Sequence, residues 1–181
     1  MLNLNEFIGD LRQSLVECDF SRHESIVIGQ ALPTTVISTN GNRAPKLICA
    51  VASIPDDLTD AKKVENFKKT MRKGLTSQFK GLPRPKRLGS CTILIGGHKA
   101  CKALEQHKSR LIDQRGLHVN VMFGTIIVDT DTLTTRSDIS WGLMDVAAEF
   151  STIQSAVETW CSKHRRPQKM TRAAGGALKI A

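Results

Sequence analysis

The chain has 181 residues, 40% hydrophobic and 24% charged, with 26 Lys or Arg against 17 Asp or Glu and a formal net charge of +9. This is the composition of one folded domain with a real core, which excludes a disordered polymer. Aromatic residues make up 4% and Tyr is missing, so the core has to be Leu, Ile, Val and Ala, and a stacking platform for single-stranded bases is disfavoured.

The segment Met1 to Asp10 lacks a basic region followed by an apolar block, so no signal peptide is expected. Leu4, Phe7, Ile8, Leu11 and Leu15 recur at helical spacing and predict an amphipathic helix over 3–18. The period then changes. Ser25 to Ile28, Thr34 to Thr39 and Leu47 to Ala52 are β-branched runs separated by Leu32-Pro33 and by Asn40-Gly41-Asn42. They predict three strands, the last two antiparallel.

Asp56, Asp57 and Asp60 supply helix N-cap candidates, and a helix follows to about Phe79 with Val64, Phe67, Met71, Leu75 and Phe79 as its apolar stripe. Lys62, Lys69, Lys73 and Lys80 fall on the opposite face, a ridge ~27 Å long at ~1.5 Å rise per residue, with Arg72 beside it. Prolines then forbid helix through Gly81 to Arg87, leaving a stiff linker that carries Arg84, Lys86 and Arg87.

Thr92 to Ile95 is an apolar run ending in Gly96-Gly97, which suits a central strand. A helix is expected from His98 to Arg115, with Ala100, Leu104, His107 and Leu111 inward and Lys99, Lys102, Lys108 and Arg110 outward. Val119 to Val128 reads as a strand and Asp129-Thr130-Asp131 as a turn. Thr134 to Trp141 is either a strand or the approach to a helix. Leu143, Ala147, Phe150, Ile153, Val157 and Trp160 mark a final helix, closed by Arg165-Arg166-Pro167. The longest near-apolar run, Leu117 to Val128, is too short to span a bilayer, so no membrane partner is expected.

This order predicts an α+β or mixed α/β fold: a helix, a three-strand meander, then alternating helices and strands, with the helices packed on one mixed sheet. Residues 1–164 form one domain and 165–181 a basic tail. The opening order of helix, three strands, helix and strand matches that of the restriction-endonuclease-like core. The acid and the Glu-x-Lys expected on its second and third strands are replaced by Val36-Ile37-Ser38-Thr39 and Leu47-Ile48-Cys49-Ala50. That likeness concerns scaffold and not activity.

Charge is segregated. Lys62 to Arg115 holds 15 Lys or Arg against Glu65, Glu105 and Asp113, whereas residues 1–60 and 116–160 are acidic and 161–181 is basic. A line of cations releases counterions when it neutralises phosphates, so the expected role is non-enzymatic binding of DNA, RNA or another polyanion, with low base specificity. The residues expected to carry it are Lys62, Lys69, Arg72, Lys73, Lys80, Arg84, Lys86, Arg87, Lys99, Lys102, Arg165 and Arg166. An alternative is metal-dependent phosphoryl transfer with Asp129 and Asp131 holding Mg²⁺ at a strand's exit, although Asp-rich turns are also ordinary turn chemistry. A third is a structural protein that assembles into a homo-oligomer.

The five cysteines are odd in number and widely spaced, which fits reduced thiols in the cytoplasm. Cys91, His98, Cys101 and His107 have no familiar zinc spacing and read as buried thiols and helix-face imidazoles. Gly96-Gly97 is a weak phosphate-loop signal, and Cys161 with His164 lacks the third group a nucleophile requires.

Overall fold

The computed structural model describes residues 3–16, 20–22, 26–28, 32–39, 47–78, 88–113, 120–140 and 147–165. Asn3 caps the first helix, α1 (Leu4–Val16), its Oδ1 accepting from the backbone N–H of Asn5 at 3.2 Å. Two short strands follow, β1 (Phe20–Arg22) and β2 (Ile26–Ile28), then β3 (Leu32–Thr39) and β4 (Leu47–Ser53). Asp60 caps α2 (Ala61–Gln78), accepting from the Lys63 N–H at 3.0 Å, as the cluster of acids before it predicts. β5 (Leu88–Gly96), α3 (His98–Glu105), a 3-10 turn (Lys108–Arg110), β6 (Asn120–Asp129), β7 (Thr134–Ile139) and α4 (Ala147–His164) complete the order.

The fold is mixed α/β, as predicted. One seven-stranded sheet runs β1-β3-β4-β5-β6-β7, with β2 also paired to β3. β3 is antiparallel to β1, β2 and β4, β4–β5–β6 are parallel, and β7 is antiparallel to β6. The predicted strand at Ser25 to Ile28 is β2; β1 is an additional strand that the periodicity did not indicate, both pair with β3, and Thr134 onward is a strand.

The sheet is covered on both faces. Phe7, Leu11 and Leu15 of α1 and Phe150, Ile153, Val157 and Trp160 of α4 pack on Leu47, Cys49, Val51, Cys91 and Ile93. The alternate residues, Ile48, Ala50, Ala52 and Leu94, point to the other face and meet α2 and α3. Strands buried on both sides read as continuous apolar runs, which is why β4 and β5 are so apolar.

A β-bulge interrupts this alternation. Ser90 pairs with Met122 but Cys91 with Gly124, so Phe123 is an extra residue in β6. Val121 and Phe123 before it, and Ile126 and Val128 after it, consequently share one face. Gly124 lies beneath α4, where a Cβ would overlap the Phe150 ring.

The segment from His98 is shorter as helix than its periodicity predicts. α3 ends at Glu105, because the Asp113 N–H donates to Met122 O at 2.6 Å and the Met122 N–H donates to Asp113 Oδ2 at 2.9 Å. These bonds draw the chain onto β6 before a longer helix can complete. Asp113, 6% exposed, also pairs with Arg72 and, at 3.3 Å, with Lys68 Nζ.

Gly124→Ala forces the α4 contact apart and is expected to lower unfolding free energy by about 1–3 kcal/mol in urea titration. Adding Phe150→Leu should recover part of that loss; a neutral Gly124→Ala removes the close approach as a constraint.

Candidate functional site

Burial of Val64, Met71 and Leu75 against the sheet turns Lys62, Lys69 and Lys73 of α2 outward, and burial of Cys101 and Leu104 does the same for Lys99 and Lys102 of α3. All five lysines are exposed. The two helices cover the same sheet face and share an apolar cluster containing Val64, Cys101, Leu104 and Leu111. The five cations therefore project from one layer of the molecule.

The acids of the same stretch are committed elsewhere. Glu65 pairs with Arg110 at 2.7 Å, Glu105 with Arg136 at 3.0 Å, and Asp113 with Lys68 and Arg72. Among the described residues, none of the five lysines has an ion-pair partner. Arg72, expected among the phosphate contacts, instead turns its guanidinium inward to Asp113. Arg165 extends from α4 on the opposite face, and its Nη2 donates to Leu133 O at 2.8 Å. Lys80, Arg84, Lys86, Arg87 and Arg166 lie outside the described residues.

Beside this layer, at the C-terminal ends of β5 and β6, is a cavity of about 180 Å³. In parallel sheets this end is where ligands bind. Ile127 and Cys101 form part of its lining; Lys102, Arg136, Glu105, Thr134, His98 and Asp129 supply its polar groups. Lys102 thus belongs to both features.

Asp129 and His98 form a pair that sequence reasoning missed. Asp129 Oδ1 accepts from the N–H groups of Asp131 at 2.9 Å and Thr132 at 3.2 Å, which closes the turn after β6. Its Oδ2 lies 2.7 Å from His98 Nδ1. Burial pushes this carboxyl upward, but the hydrogen bonds from His98, Asp131 and Thr132 outweigh it and hold the group below its usual range. As an ionised carboxylate can only accept, Nδ1 carries the proton and Nε2 is left as the open ring nitrogen. The available signal was Gly96-Gly97 placing His98 directly at the end of β5, the strand next to the one ending in Asp129.

Asp131 has a different task. Its Oδ2 accepts from the His98 backbone N–H at 2.8 Å, tying the turn to the start of α3. The two carboxylates proposed for Mg²⁺ are thus engaged in a turn and a helix start. Among the described residues, the group of three ligand-type side chains with atoms within 4.8 Å of one another is Glu6, Asp10 and His164. Neither β3 nor β4 carries an acid.

The thiols of Cys101 and Cys161 stay protonated. Cys101 donates toward Gly96 O and Val128 O, and burial together with the nearby Asp129 charge pushes its pKa to about 11. Cys161 lies on the buried face of α4 and is also pushed to about 11, chiefly by that burial, which disfavours it as a nucleophile. No family model matches the chain, and no curated protein or solved structure compared with it matches either.

Because the Asp129 carboxyl is depressed in the folded state, its stabilisation is present above the unfolded value of ~3.9 and is lost as pH falls through the lower folded value. Urea midpoints for Asp129→Asn should therefore vary less with pH than wild type below ~pH 4. Parallel acid limbs for the two proteins would contradict the assignment.

Proposed function

We propose that this protein binds nucleic acid through the phosphate backbone, using the outward face of α2 and α3. The observation that carries this reading is the set Lys62, Lys69, Lys73, Lys99 and Lys102, exposed on one layer and without ion-pair partners among the described residues. Each lysine that neutralises a phosphate releases counterions, so affinity comes from the number of such contacts and falls with salt. Lysine is a point charge with no planar fork for a base edge, so DNA and RNA are bound with little regard to sequence. The buried thiols Cys49, Cys91, Cys101 and Cys161 support a reducing, cytoplasmic setting.

Charge reversal of Lys62, Lys69 and Lys73 together is expected to weaken duplex binding in fluorescence anisotropy and to reduce the magnitude of the log K against log salt slope by about 3, roughly one per lost phosphate contact. Wild-type affinity in that variant, or wild-type binding indifferent to salt, ends the proposal.

The His98–Asp129 pair favours a second reading, acid–base catalysis on a phosphate ester in the adjoining cavity, where Lys102, without an acid partner among the described residues, is placed for the anion. With labelled RNA, His98→Gln should bind as wild type but lose cleavage. Undiminished cleavage in the variant, or none by wild type, rules the reading out.

A further inference from the structure

We infer that Glu6, Asp10 and His164 form a divalent-cation site of the zinc class that clamps the first helix to the last. Glu6 and Asp10 stand one turn apart on α1, and His164 ends α4, the helix packed beside it on the sheet face opposite the lysines. Their ligand atoms all lie within 4.8 Å of one another, and His164 Nε2 is 4.0 Å from Glu6 Oε1.

Trp160 orients two of the three groups. His164 Nδ1 is 2.9 Å from the Trp160 carbonyl oxygen, which can only accept, so Nδ1 carries a proton and Nε2 faces the carboxylates. The imidazole is further fixed by stacking on the indole, with ring centres 4.0 Å apart and planes at 19°. The same indole donates its N–H to Asp10 Oδ2 at 2.9 Å, and Trp160 is held by an edge contact to Phe7. A hydrogen bond that fixes the imidazole tautomer and another that aims a carboxylate are what outer partners of metal ligands supply.

Electrostatics points the same way. Two carboxylates one helical turn apart repel each other. Among the described residues, the one ion-pair contact to either is the imidazole of His164. One imidazole and two carboxylates suit Zn²⁺, with water filling the remaining position. Bonds to zinc of ~2.0–2.2 Å require these atoms to draw closer, which the exposed Glu6 side chain accommodates by rotating.

The test is titration of ZnCl₂ into the full chain after chelator treatment, by calorimetry and thermal melting. One equivalent should bind and raise the melting temperature, while MgCl₂ at the same concentration produces no shift. Glu6→Gln, a change at an exposed position, and His164→Ala should each weaken zinc binding at least ~10-fold. No heat and no melting shift with zinc, or Glu6→Gln and His164→Ala variants that bind it as tightly as wild type, would overturn the inference.

Discussion

Two parallel pairings, β4 with β5 and β5 with β6, decide where the charge of this molecule goes. A parallel step requires a crossover, and crossovers are right-handed almost without exception because a twisted strand feeding a right-handed helix packs back only that way. The strands are laid down in one direction, β4, β5, β6, so both crossover helices fall on the same face. α2 and α3 are those helices. Their apolar stripes are consumed by Ile48, Ala50, Ala52 and Leu94, and their lysines are left outside together. A reversal in strand order would have put the two basic helices on opposite sides.

The same stretch supplies its own internal charge pairing. Asp113 sits where the crossover returns to the sheet, bonded to Met122 and paired with Lys68 and Arg72 across from α2. An ion pair in so dry a place is weak evidence of net stability, since desolvation offsets much of the attraction. Leaving either charge without its partner is costly, however, and that asymmetry favours one docking of α2 against the returning chain. The net positive count over Lys62 to Arg115 therefore overstates the free charge, and the exposed lysines, not the total, define the surface.

Elements set by a single period were legible in the sequence. The stripes of α1, α2 and α4 and the apolar runs of β4 and β5 correspond to the faces that are buried. Features that depend on a partner far away in the chain were not. The bulge at Phe123 reverses the inward parity of β6, and no local signal marks it because residues on both sides are apolar. α3 stops early on account of Met122, and Arg72 turns inward on account of Asp113, 41 residues away. Of the twelve cations singled out, the five lysines of α2 and α3 are brought to one layer, whereas Arg165 lies on the other and Arg72 is internal. Asp129 was picked out by its place at a strand's exit, as a turn residue or alternatively a Mg²⁺ ligand; it does close the turn, whereas its contact to His98, 31 residues earlier, had no local signal.

That pairing bears on how an anion meets the cavity. A buried carboxylate at the end of β6 would by itself repel a phosphate from the mouth formed by β5 and β6. Here the charge of Asp129 is offset by two backbone N–H groups and by His98, and Glu105 is likewise occupied by Arg136. Lys102 then remains on the rim without an acid partner among the described residues, one turn along α3 from His98 and contiguous with Lys99. On the proposed reading, a strand lying across α2 and α3 brings a phosphate to the rim beside the open nitrogen of His98. On that reading, the pairing of Asp129 with His98 and of Glu105 with Arg136 is what leaves Lys102 open to the anion.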